Sequence, residues 1–164
     1  MTGVQTCALP ISIVAIAGHI FSGSTDAAMP IYEKAGLPMM SPSATNPGLT
    51  AEGSTVFNRL AFTDVDQGKA AADLLFNGFG FTKIAVMHDG GTYGQGLADV
   101  VKAEFEALGG EVVAYEAITA GEADYVAPLS AVAAASPEAV YFGGYAAESI
   151  VMMNQWAQDR KSVV

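Results

Sequence analysis

Basic residues are scarce in this chain. Seven Lys and Arg against seventeen Asp and Glu leave a formal net charge of −10 over 164 residues. The few cations are scattered, so nothing builds the clustered Lys/Arg patch that nucleic acid or anionic lipid needs. No run of about 18 apolar residues occurs, and no membrane insertion is expected. Cysteine is represented once, by Cys7, so no internal disulfide can form. The phosphate-binding patterns GxxxxGK[ST] and GxGxxG are missing after every candidate strand. Ser22 and Ser43 sit in no GxSxG elbow. His19 and His88 are far apart in sequence and no third metal ligand stands out. These absences point away from catalysis. No catalytic residue, metal or cofactor is expected, and the chain reads as a binder rather than an enzyme.

The two ends look foreign. Residues 2–11 back-translate onto ACT GGA GTT CAG ACG TGT GCT CTT CCG ATC, which resembles a sequencing-library adapter. Residues 159–164 back-translate onto GAT CGG AAG AGC GTC GTG, which resembles read-through of the partner adapter. Segments 1–12 and 159–164 are therefore expected to be non-native, with a genuine chain over about 13–158 that is truncated on both sides. On that reading neither Cys7 nor the lack of a basic, signal-like start bears on compartment.

What is present is globular. Hydrophobic residues make up 51% and charged residues 15%, enough for one domain or parts of two. Short β-branched or apolar runs predict strands over 13–19, 37–40, 57–62, 83–88, 111–118 and 139–143. Helices are expected over 27–35, stopped by Gly36, and over 67–76, with Asp66 as cap and Ala70, Ala71, Leu74 and Leu75 on the inner face. Leu97, Val100, Val101, Phe105 and Leu108 define an amphipathic helix ended by Gly109-Gly110. Two more are expected over 124–135, with Tyr125, Leu129, Val132 and Ala133 inward and Pro128 in the first turn, and over 146–157. Alternating strands and helices imply an α/β fold of parallel sheets with helices on both faces. In such sheets ligands bind beyond the carboxyl ends of the strands.

The strand-end loops share a chemistry. Ser22-Gly23-Ser24-Thr25 and Ser43-Ala44-Thr45 offer hydroxyls and backbone amides at helix starts, a setting that suits a small carboxylate. Tyr93 and Tyr145 add aromatic faces with polar tips. Each has a plainer reading. Ser24 and Thr25 serve as helix caps, the tyrosines as packing residues, His19 and His88 as structural groups, and Met39 and Met40 as core filling.

Taken together, the segments resemble a known family. Gly18-His19-Ile20-Phe21-Ser22-Gly23-Ser24-Thr25, Ser41-Pro42-Ser43-Ala44-Thr45-Asn46-Pro47, His88-Asp89-Gly90-Gly91-Thr92-Tyr93-Gly94-Gln95-Gly96, Ile118-Thr119-Ala120-Gly121-Glu122-Ala123-Asp124-Tyr125 and Tyr141-Phe142-Gly143-Gly144-Tyr145 are similar, in that order, to segments of the branched-chain amino-acid-binding proteins of ABC importers. The resemblance implies parts of two Rossmann-like lobes of a type I periplasmic binding protein. Residues 13–63 would be the latter part of the first lobe and 64–158 a partial second lobe. It implies capture of a small amino acid, branched-chain or related, between the lobes, delivery to a membrane permease, and a periplasmic or extracytoplasmic location. Ser22 would bind the ligand carboxylate. Thr45 would help hold carboxylate and ammonium, Ser43 would offer its carbonyl from the Ser43-Ala44-Thr45 loop, and Tyr93 and Tyr145 would close over the ligand. The family's acid for the ammonium would lie beyond Gln158, so weak or no binding is expected of this chain. Phe21 stands where some members carry a disulfide cysteine. The same fold also serves as the ligand-sensing domain of regulators and receptors, the alternative reading. A small doubly wound enzyme would need a catalytic constellation that the residues do not supply.

Overall fold

The computed structural model describes residues 12–51 and 53–159. The segment 1–12 thus lies outside the described residues except for Ser12, and the tail 159–164 except for Asp159. Cys7 lies outside them as well.

The chain divides into two compact units. The first takes the described residues up to Ala44 together with Gly48–Ala61. Its strands β1 (Ile16–Ala17), β2 (Met39–Ser41) and β3 (Phe57–Arg59) form a parallel sheet in the order β1-β2-β3. β1 is shorter than the expected 13–19 because Ile13 and Val14 are exposed and no packing rewards their extension. Helix α1 (Ser22–Ala35) begins at Ser22 rather than 27, with Phe21 as an extended N-cap. Its inner stripe is Ser22, Thr25, Met29 and Tyr32, at helical spacing, and Ile31 points outward at 67% exposure. A search for apolar positions misses a helix whose first buried turn is made of hydroxyl residues. Gly36 ends α1 as expected, in the left-handed region at φ 61°, where an L side chain would be strained. Its N–H donates to the Glu33 carbonyl at 3.0 Å. The short helix α2 (Gly48–Ala51) brings Leu49 into a small core with Met39, Ala44 and Phe57.

The second unit takes Thr45–Pro47 and the chain from Phe62. It contains α3 (Asp64–Asp73), a π-helical turn at Leu74–Gly78, β4 (Lys83–His88), α4 (Thr92–Ala107), β5 (Glu111–Ala117), α5 (Val126–Ala134), β6 (Ala139–Gly143) and α6 (Ala146–Asp159). The sheet is parallel, in the order β5-β4-β6. Its central strand β4 alternates between two cores. Ile84 and Val86 pack with Ala72, Ala98 and Phe105 on one face, and Ala85 and Met87 pack with Tyr125, Leu129, Val132 and Met152 on the other. The expected α/β architecture with helices on both faces is what forms.

Two helix faces differ from expectation. On α3 the buried residues are Asp64, Gly68 and Ala72, while Ala70 is exposed, Ala71 half-buried and Leu74 53% exposed. The cause is close helix packing: a Cβ on Gly68 would lie 2.5 Å from Val100 Cγ1, so small residues form the contact. The helix also starts earlier than expected. Thr63 is its N-cap, and Asp66 Oδ2 reaches back to accept from Thr63 N at 3.3 Å and Thr63 Oγ1 at 3.2 Å. On α4, Leu97, Val101 and Phe105 are buried as their spacing requires, whereas Val100 is half-buried and Leu108 caps the helix at 39% exposure. Ala133 of α5 is likewise exposed, though Tyr125, Leu129 and Val132 are inward.

Candidate functional site

In the first unit, the sheet delivers two loops side by side. Ser22 opens α1 and is 1% exposed. The loop after β2 is tied to the loop before α1 by Ser43 Oγ, which donates to the Ile20 carbonyl at 2.8 Å, and by Ser41 Oγ, which donates to the His19 carbonyl. Ser41 Oγ also accepts from Ser43 N at 3.3 Å and Ala44 N at 2.9 Å. The Ala44 carbonyl accepts from Arg59 Nη1 at 3.1 Å. Ser22, Ser43 and Ala44 therefore occupy one corner of this unit, held by Ser41 and Arg59. Sequence reasoning passed over both of these. The alternation Ser41-x-Ser43 was visible, but which serine turns inward depends on burial.

In the second unit, Thr45 is 8% exposed, and its Oγ1 is buried without a hydrogen-bond partner. Its carbonyl accepts from Asp64 N at 3.0 Å. Next to it, Asn46 Nδ2 donates to the Thr92 carbonyl at 2.5 Å, fastening the segment to the start of α4. Tyr93 follows in that helix, and its hydroxyl accepts from Gln67 Nε2 of α3 at 3.2 Å. Tyr145, between β6 and α6, sets its ring 5.4 Å from that of Tyr93 at a 35° tilt. Burial first, then the charge of Asp89 and the neighbouring Tyr93 and Asp64, push the Tyr145 hydroxyl above its ordinary pKa. Tyr141 is pushed up to about 12, by burial, Tyr93 and Asp64. Thr45, Tyr93 and Tyr145 thus lie where β4 and β6 end and α3 and α4 begin. Asp64 and Gln67 share this place and were not singled out from sequence, because Asp66 looked like the better helix start.

The chemistry is that of recognition. Each unit brings hydroxyls and amides to its strand ends, and the second adds two aromatic faces. Among the described residues no His/Cys/Asp/Glu group is placed to hold a metal, and no helix is long and apolar enough to cross a membrane. An apolar groove of about 480 Å³ in the second unit lies against β6, lined by Met87, Leu129, Phe142, Met152 and Trp156 among others. It contains none of the candidate residues.

Parallel sheets flanked by helices, with small polar residues at strand ends, place the chain in the α/β class. The chain matches the periplasmic binding protein family over residues 12–159, and it belongs to that family. It is 39% identical over 142 residues to an amino acid binding protein of Pseudomonas aeruginosa, covering 87% of this chain and 38% of that protein. It is 38% identical over 140 residues to the leucine-specific-binding protein of Salmonella typhimurium, covering 85% and 38%. Among solved structures, a leucine binding protein from Thermotoga maritima superposes with a TM-score of 0.84 at 32% identity, over 88% of this chain and 41% of that one. The branched-chain amino acid transporter substrate binding protein of Streptococcus pneumoniae, in complex with isoleucine, gives 0.68 at 32% identity over 77% and 36%. The chain thus spans 38% of the length of these curated relatives. Relatives and fold are those of solute-binding proteins, not enzymes.

Proposed function

We propose that this chain is part of the substrate-binding component of an ABC importer, taking up a small aliphatic amino acid and passing it to a membrane permease in the periplasmic or extracytoplasmic space. In this reading 13–63 is the latter part of the first lobe and 64–158 a partial second lobe. Ser22, Ser43, Ala44 and Thr45 on the one, and Tyr93 and Tyr145 on the other, contact the ligand of the full-length protein. Ligand stabilises the closed state through contacts that the open state lacks, and no bond is made or broken.

The observation that carries the reading is the grouping of hydroxyls and amides at strand ends, at helix starts that favour a carboxylate. The Tyr93–Tyr145 ring pair, at 5.4 Å, supplies amphipathic walls for an aliphatic side chain. The names of the leucine-binding relatives support the same ligand class.

Titrating leucine, isoleucine and benzoate into the chain tests it. Leucine and isoleucine should bind more weakly than micromolar, because the family's ammonium-pairing acid is expected beyond Gln158. Both should still be preferred over benzoate in ligand-observed NMR. A preference for benzoate would sink the reading.

A further inference from the structure

The tyrosines of the second unit differ in what their hydroxyls do. Tyr115 donates to Asp99 Oδ1, and Tyr125 donates to the Thr119 carbonyl at 3.1 Å, so each has spent its one proton inside the protein. Tyr93 is bonded the other way round. Its hydroxyl oxygen accepts from Gln67 Nε2 at 3.2 Å, which leaves the phenolic proton for an acceptor elsewhere. Gln67 reaches it because α3 and α4 pack closely. The next residue, Gly68, is buried, and a Cβ there would lie 2.5 Å from Val100 Cγ1. Gln67 and Tyr93 are both half-buried, so the bond is sheltered while the hydroxyl keeps access to an incoming molecule. The Tyr93 ring also lies 5.4 Å from that of Tyr145, so turning it would disturb the pair.

We propose that Gln67 is a positioning residue for Tyr93: by donating to the phenolic oxygen it directs the Tyr93 proton away from itself and toward an acceptor that the ligand brings. The inference rests on the amino-acid-binding reading above and adds to it a residue that acts through another, without touching the ligand. The direction of the bond is what matters. A carboxylate offers acceptors and no donor, so a tyrosine that has kept its proton can serve it, and one that has spent its proton cannot. A side chain fixed on a rigid helix holds such a group in one geometry before the ligand arrives.

The test is a double-mutant cycle on leucine affinity, read by ligand-observed NMR of the 164-residue chain. Gln67→Leu removes the donor and should weaken binding roughly fivefold. In a Tyr93→Phe chain the same change should make no further difference. Gln67→Glu keeps the shape and turns the donor into an acceptor. It should weaken binding more when Tyr93 is present than in Tyr93→Phe, and it decides the matter if Gln67→Leu does not fold by circular dichroism. Losses that are equal with and without the Tyr93 hydroxyl mean that Gln67 only supports the helix pair; they overturn the inference and leave the amino-acid reading standing. An unchanged affinity in both Gln67 variants overturns it as well. Where leucine binds too weakly to rank the variants, the isotope-labelled ring carbon that bears the Tyr93 hydroxyl decides. A signal that moves in Gln67→Leu supports the positioning role, and one that stays in place overturns it. A preference for benzoate over leucine would instead remove the reading on which the inference rests.

Discussion

A single missing methyl group decides how closely the start of α4 packs against the end of β6 in the second unit. A Cβ on Gly94 would sit 2.2 Å from Asp89 Oδ1 and 2.5 Å from the Gly143 carbonyl, and the second of these atoms is backbone that cannot swing away. Gly94→Ala should therefore cost about 3 kcal/mol, the upper end of ordinary overpacking. An unchanged urea midpoint would refute the close approach. Tyr141 makes a second residue-scale prediction. Its pKa in the folded chain is about 12 against an ordinary 10.0, so the folded state holds the proton longer than the unfolded state. The stability this contributes is complete below the ordinary value and is lost as pH rises through the folded one. Alkaline unfolding followed between those values should be shallower in Tyr141→Phe. Hydroxyls at strand ends could be read from the sequence because the residue types themselves advertise the chemistry. Ser41, Asp64 and Arg59 could not, since their roles follow from burial and reach.

Helix α3 shows how far an element can be read and where reading stops. Its inner face is expected on Ala70, Ala71, Leu74 and Leu75; Leu75 does pack on the core, but Leu74 and Ala70 face outward, and Gly68 makes the close contact with α4. Periodicity finds large apolar residues, while close helix packing selects small ones. Strands β4 and β6 were readable to the residue, because a strand flanked on both faces becomes a continuous apolar run. The cap of α3 is open to test. Asp66 accepts from both the N–H and the hydroxyl of Thr63, so Asp66→Ala should lose about 1 kcal/mol in denaturant titration. Glu138 clamps the start of β4 to the entry of β6, its Oε2 accepting from Thr82 N at 2.6 Å and Lys83 N at 2.9 Å. These bonds hold its pKa below the ordinary 4.5. The stability it brings is present above that value and lost as pH falls through the folded one. Glu138→Gln should flatten that acid limb, and an identical acid limb in the variant would count against the clamp.

For the molecule as a whole, two opposing properties set behaviour in solution. Among the described residues β6 pairs only with β4, so its other edge offers backbone groups to any incoming strand. Beside that edge lies the apolar groove, with Val140 39% and Met153 70% exposed. Against association stands the net charge of −10, which makes two copies repel at low ionic strength. The reach of that repulsion falls from about 10 Å at 0.1 M salt to about 3 Å at 1 M, whereas the attraction of an apolar edge does not weaken. The chain should therefore be monomeric in dilute buffer and associate as sodium chloride is raised. Val140→Lys puts a charge on the exposed edge strand and should keep the chain monomeric over the same range. Light scattering coupled to gel filtration reads both. Association that ignores salt, or persists unchanged in Val140→Lys, would mean that a surface other than the β6 edge drives it.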